Sequence, residues 1–183
     1  MLTGPLPRLL TDRLVGHPLG PADFADLRRL HGNATAMATL SADGRPLPEA
    51  RTAKALSAAE IGWTMDAIAA FALHRREAMP GDGGGFIGYA GIRRAANPLD
   101  PGGVEVWELL YGLMPAAWGQ GYGTEAGRAV LADAQDRLGI RTVWAWTLWT
   151  NQASRGLMAR LGFVQVGGAV YSGLPHVVSR RDG

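Results

Sequence analysis

The stretch V-E-V-W-E-L-L-Y-G-L-M-P-A-A-W-G-Q-G-Y-G-T-E-A, Val104 to Ala126, decides how the rest of the chain is read. From Val104 to Leu113 it is apolar and rich in β-formers, and Met114-Pro115 turns the chain. Glycines break Trp118-Gly119-Gln120-Gly121-Tyr122-Gly123 before a helix opens at Thr124-Glu125-Ala126. This order predicts a strand, an anion cradle and a helix N-terminus. Closely spaced glycines let successive backbone N–H groups turn towards one point without interference from Cβ atoms. The partial positive charge at the helix start adds to that pull on a phosphate or pyrophosphate. The candidate donors are the N–H groups of Gln120, Gly121, Tyr122, Gly123 and Thr124.

Three kinds of protein use such a cradle, and the residues separate them. A P-loop closes on Gly-Lys-Ser/Thr, whereas the only lysine here is Lys54. Gly121 to Ala126 does read as the dinucleotide fingerprint G-x-G-x-x-A. No acid lies near residue 143 to hold a ribose, however, and the match sits late in the chain rather than opening a domain. The wording Trp-Gly-Gln-Gly-Tyr-Gly-Thr-Glu-Ala resembles instead the coenzyme A pyrophosphate loop of the GNAT acyltransferase superfamily. In particular it is similar to the branch of Rim-type ribosomal-protein N-terminal acetyltransferases. The superfamily pattern is Arg/Gln-x-x-Gly-x-Gly/Ala; Trp118 stands at its first position, a departure common in that branch.

Composition sets the outer bounds. A chain of 183 residues forms one domain with a substantial core. The formal net charge is +2 and no basic run exceeds two residues, which gives a nucleic-acid surface little support. There is no cysteine, so disulfides, thiolate metal sites and a cysteine nucleophile are excluded. No metal is expected. Arginine in place of lysine, with abundant Ala and Gly, suggests a GC-rich bacterial genome. Without a long apolar segment or a signal-peptide pattern, the expected location is the cytoplasm, with no membrane partner.

Outward from the cradle the chain reads as alternating elements. Residues 1–8 are a frayed start, and Leu9 to Val15 a first strand ending near His17-Pro18. A short helix follows Gly20-Pro21-Ala22-Asp23, and residues 31–56 give a short helix and an irregular loop. Ser57-Ala58-Ala59-Glu60 is a capping-box pattern, with Ile61, Met65, Ile68 and Phe71 at helical spacing, predicting a helix to about Arg76. Pro80 to Gly85 reads as a hairpin turn into the strand Phe86–Ile92, and residues 97–103 turn the chain into the central strand. Beyond the cradle come a helix stopping at Gly139, a strand 141–149, a helix capped by Asn151 and closed at Gly162, and two strands around Ser172-Gly173.

Further segments carry the same resemblance: Leu-x-Thr-x-Arg-Leu at Leu9 to Leu14, Phe-Ile-Gly-x-x-Gly at Phe86 to Gly91, and Asn-x-x-Ser…Leu-Gly-Phe at Asn151, Ser154 and Leu161 to Phe163. Together they span about residues 9–180. The resemblance implies an α/β (α+β) GNAT fold: a twisted, mostly antiparallel mixed sheet flanked by helices, with two central strands splayed to admit acetyl-CoA. It implies acetyl transfer to a primary amine, with residues 31–56 bordering the acceptor site. It also implies a backbone N–H near Leu113 or Met114 polarising the thioester carbonyl.

The acceptor amine must lose a proton. A peptide α-amine, with a pKa of about 7.8, gives it up at neutral pH for roughly 1 kcal/mol, whereas lysine needs roughly 4.6 kcal/mol. A carboxylate acting through water suffices for the former. Glu108 occupies the strand position where this branch often carries Glu, and Glu105, three residues away, faces the other side of a regular strand. The Rim-type pattern points to Ser154 as proton donor to the leaving thiolate, with Tyr111 and Tyr171 as weaker candidates. Asn151 is both a helix cap and a candidate for the pantetheine amide. His176 matches a late histidine of similar proteins, and Trp107, Trp144, Trp146 and Trp149 read mostly as core, with one available to wall the acceptor pocket. The acceptor is a protein N-terminus by resemblance, or else a small-molecule amine such as a polyamine, amino acid or antibiotic. A non-catalytic acyl-CoA-binding module and a nucleotide-dependent oxidoreductase are the rival classes. Monomer and homodimer are both compatible with the sequence.

Overall fold

A computed structural model describes residues 7–41, 43–77, 85–100 and 102–183. The strands are β1 (Leu9–Leu10), β2 (Leu14–Pro18), β3 (Ala70–Arg75), β4 (Phe86–Ala95), β5 (Val106–Leu113), β6 (Thr142–Leu148), β7 (Val164–Tyr171) and β8 (Leu174–Asp182). The helices are α1 (Phe24–His31), α2 (Ala34–Leu40), α3 (Glu49–Met65), α4 (Tyr122–Leu138) and α5 (Gln152–Arg160). One sheet takes the strands in the order β1-β2-β3-β4-β5-β6-β8-β7, antiparallel throughout except for the parallel β5–β6 pair. This is the mixed, mostly antiparallel α/β architecture expected.

The largest differences from the sequence reading lie at the first strand and the long helix. The expected first strand is a tight hairpin, β1 to β2. Thr11 breaks it, its N–H donating to Leu14 O at 3.0 Å and its hydroxyl oxygen accepting the Leu14 N–H at 2.9 Å. The expected helix from Ser57 to Arg76 starts earlier and stops earlier. Its buried positions are Thr52, Leu56, Ala59 and Trp63, so Ser57 to Glu60 falls inside the helix, while Ile61 and Met65 are exposed. Ala67 leaves the helix at φ 57°, and Ala70 to Arg75 becomes β3. An unbroken apolar run of that length fits a strand flanked on both edges as well as it fits a helix. Trp63 locks the junction by donating its indole N–H to Ala70 O at 3.0 Å.

Elsewhere the local rules hold. Gly139 and Gly162 close their helices at φ 67° and 84°, the left-handed conformation glycine adopts freely. The apolar stripe of α4, with Ala126, Val130, Leu131 and Ala134 buried, packs it on the sheet. The frayed start and the Pro80–Gly85 turn fall mainly on residues 1–6 and 78–84, outside the described residues. Among the described residues no helix is long and apolar enough to cross a membrane.

Candidate active site

β5 and β6 lie side by side yet pair at one position, Glu108 with Trp144. Each is held by its other neighbour, β5 by β4 and β6 by β8, and beyond that pair they diverge. A cavity of about 880 Å³ opens there, running from Gly119, Gly121 and Thr124 past Tyr111 and Ser154 to Arg93 and Glu108. The amides of β5 alternate between its two edges. Met114 N–H donates to Ile87 O at 2.8 Å on the β4 side, which corrects the expectation for Met114: its amide is taken. Leu113 N–H, one residue earlier, therefore faces the divergence.

The cradle is built from the end of β5 onwards. A single 3-10 turn, Pro115–Ala117, follows Met114, and Trp118 donates its indole N–H back to Leu113 O at 2.9 Å. Gly119 at φ 72° and Gly121 at φ 82° reverse the backbone, and α4 starts at Tyr122. Gln120 holds the loop through its side-chain amide, which donates to Ala116 O at 2.6 Å. Thr124 and Glu125 N–H groups donate to Gly121 O, so the amides of Thr124 and beyond belong to the helix. What Thr124 offers the cavity is its hydroxyl, which accepts from Arg160 Nε at 3.3 Å. Gly123 serves packing instead. A Cβ there would press within 2.5 Å of Leu157 Cδ1, so its bareness lets α5 close on α4.

The Leu-x-Thr-x-Arg-Leu segment has a role that sequence reasoning missed. Thr11 Oγ1 donates to Glu125 Oε1 at 2.5 Å, and Arg13 donates from its backbone N–H to Oε1 and from Nε to Oε2. The Arg13 guanidinium also donates to Gln120 O at 3.0 Å and lies 4.4 Å from the centre of the Tyr122 ring. Partial burial pushes the Glu125 carboxyl up, but the Thr11 and Arg13 hydrogen bonds outweigh it and leave the group below its ordinary range. The first hairpin thus clamps the start of α4 and fixes the shape of the cradle.

Around the middle of the cavity two of the three proton-donor candidates, Tyr111 and Ser154, join. Asn151 caps α5 by accepting the Ser154 N–H at 3.0 Å, which fixes Ser154 in the first turn. Ser154 Oγ then lies 2.6 Å from Tyr111 Oη. Burial pushes the Tyr111 phenol up to about 12, against the Ser154 hydrogen bond, so it keeps its proton at neutral pH.

At the far end Glu108 is buried and its Oε2 accepts from Arg93 Nε at 2.6 Å, directly across the β4–β5 pair. Burial raises the Glu108 carboxyl above its ordinary range, against the pull of the Arg93 guanidinium. Glu105 is exposed, ahead of the strand, and does not line the cavity. Trp146, Tyr171 and His176 form the opposite wall, with Trp146 and His176 against the Tyr171 ring. The remaining tryptophans are less buried than expected. Trp107, Trp144 and Trp149 lie beside Arg94, Arg180 and Arg155, and Trp149 is exposed, while Trp63 is the one in the core. Outside the cavity, His17, Asp23 and His74 come together, but both Asp23 oxygens are engaged, by His17 Nε2 at 2.8 Å and by Gly20 N–H at 2.9 Å.

Comparison with known proteins gives the class of protein that this fold belongs to. Residues 13–164 match the acetyltransferase (GNAT) domain, and the chain belongs to that family of acetyltransferases. The fold is similar to that of a protein described as a GNAT-family acetyltransferase from Bordetella pertussis, at 26% identity and a TM-score of 0.80 over 96% of this chain and 99% of that one. It is also similar to RimL, a ribosomal L7/L12 α-N-protein acetyltransferase solved with coenzyme A, at 16% identity and a TM-score of 0.76 over 96% and 98% of the two chains. Over 85 residues, 45% of this chain, it is 32% identical to the FsC-acetyl coenzyme A-N(2)-transacetylase of Aspergillus fumigatus, and the match spans 36% of that protein's length. Family membership removes the nucleotide-dependent oxidoreductase reading.

Proposed function

We propose that the chain transfers an acetyl group from acetyl-CoA to a primary amine by direct attack in a ternary complex. The observation that carries this reading is the continuous cavity from the cradle to Glu108, opened by the single β5–β6 pair. The amides of Gln120 to Tyr122 hold the pyrophosphate at the start of α4, with Arg160 beside them. Asn151 binds the pantetheine arm, and Leu113 N–H takes the carbonyl oxygen of the thioester as negative charge develops on it. The amine nitrogen forms a bond to the carbonyl carbon, its proton passes to Glu108 directly or through water, and the carbon–sulfur bond breaks. The departing thiolate takes a proton from the Tyr111–Ser154 pair. A carboxylate raised by burial is suited to accept a proton from an α-amine near neutral pH.

The acceptor we favour is an α-amine, whose deprotonation costs about 1 kcal/mol at pH 7. The names of RimL and of the Aspergillus relative both put the acetyl group on nitrogen, a protein α-N in one case and an N(2) position in the other. Calorimetry with acetyl-CoA tests the cofactor, on wild type and on Gly121→Val and Arg160→Ala, with thermal melts verifying that each is folded. Micromolar binding weakened in both variants supports the reading. No binding by folded wild type sinks it. Binding without thiol release on a panel of amines would leave an acyl-CoA-binding module.

A further inference from the structure

We infer that the acceptor carries a carboxylate close to its reacting amine, and that Arg51 and Arg93 read it; this rests on the acetyl-transfer reading above. Among the described residues the charged side chains on the cavity wall are Arg51, Arg93, Arg160 and Glu108. Arg160 stands at the cradle, beside Thr124. That leaves two arginines and one carboxylate on the rest of the cavity wall. Glu108 spends one oxygen on Arg93 Nε, and that pair is close to neutral as a unit. Arg93 nevertheless keeps its terminal nitrogens without a protein partner among the described residues, and its side chain is half exposed. Arg51, on the first turn of α3, is exposed and likewise makes no ion pair among the described residues.

Such a wall repels a polycation. A polyamine or a lysine-rich tail brings further positive charge to an end whose one carboxylate is already bonded. A zwitterionic neighbourhood fits it: the amine towards the second oxygen of Glu108, the carboxylate towards Arg51 and the free face of Arg93. Arginine favours this ligand because its planar fork matches a carboxylate with two parallel hydrogen bonds. The carboxylate has two sources, the α-carboxylate of a free amino acid or an acidic side chain just behind a peptide N-terminus. One chemistry serves both.

Steady-state acetylation on matched acceptors tests the inference. One arm compares free amino acids with their amides; the other compares C-terminally amidated peptides with Asp, Asn or Lys at the second position. Acetyl-CoA calorimetry runs alongside. In at least one arm the carboxylate-bearing member should show a KM lower by tenfold or more, and which arm responds identifies the source. Arg51→Glu should bring that ratio to one or below, whereas Lys54→Glu, the same change on an exposed residue off the cavity wall, should leave it. Equal use of acidic, neutral and basic acceptors, or a ratio that moves as much with Lys54→Glu as with Arg51→Glu, overturns the inference while acetyl-CoA binding stands. Failure of acetyl-CoA to bind would remove the parent reading instead.

Discussion

Tyr111 and Ser154 meet across the gap between β5 and α5, hydroxyl to hydroxyl at 2.6 Å. On the proposed reading neither acts alone as a proton donor, because whichever group protonates the thiolate would be resupplied or held by the other. Ser154→Ala and Tyr111→Phe should each lower kcat by about 10- to 100-fold with little change in KM. The double variant should lose far less than the product of the two, which a double-mutant cycle on kcat would measure. Full additivity would mean that the two hydroxyls act independently.

Glu108→Gln removes the carboxylate's charge and its basicity, leaving Arg93 with a neutral amide in place of an ionic partner. We expect kcat/KM to fall about 10- to 100-fold. In the proposed mechanism Glu108 accepts a proton only when ionised, and burial raises its pKa. Activity should therefore decline as pH falls through that raised value, above the ordinary carboxylate range. The pH–rate profile of Glu108→Gln should lose this acidic limb.

Glu125 anchors the hairpin clamp, and its carboxyl lies below its ordinary range. Its contribution is present above the unfolded-state pKa and is lost as pH falls through the lower folded value. Glu125→Gln should remove it at every pH. Because Arg13 is nearly half exposed, solvent discounts the ion pair, and the stability loss should be about 1 kcal/mol or less. The larger effect should be on the cradle, with acetyl-CoA affinity in calorimetry lowered several-fold.

His31 is buried, with Nδ1 2.9 Å from Thr52 Oγ1, and burial together with Arg28 lowers it to about 4. The unfolded chain binds that proton near the ordinary value of 6.5. Stability is thus fully present above pH 6.5 and is lost on descending towards pH 4, by roughly 3 kcal/mol at most. Denaturant titrations at pH 7 and pH 4.5 measure it, and His31→Gln should flatten the difference.

What could be read from the sequence was local. Gly119 to Gly121, the Asn151 cap and the glycine stops at 139 and 162 each follow from neighbours a few residues away and lie where the pattern put them, whereas α4 opens at Tyr122, two residues before the expected Thr124. The stretch from Glu49 to Arg75 misled because Ile61 and Met65 mimic a core face, while Thr52 and Ala59, which are buried, do not advertise one. Contacts at long separation were out of reach. Glu125 sits 112 residues from the Arg13 amide it accepts, and Tyr111 lies 43 residues from Ser154. The Arg93 partner of Glu108 depends on strand register, which the turn at residues 97–103 alone does not fix.

The lone Glu108–Trp144 pair has a thermodynamic consequence as well as a geometric one. It makes the sheet two half-sheets, β1 to β5 and β6 to β7, sharing one rung of backbone pairing. On the proposed reading, acetyl-CoA lying along the gap would supply the rungs the polypeptide omits and so act as a structural splice. Its binding energy then counts towards the integrity of the whole domain, by about 2.7 kcal/mol at a hundredfold excess over Kd. If acetyl-CoA binds as proposed, the melting temperature of this protein should track its concentration, making the fold itself a gauge of that metabolite.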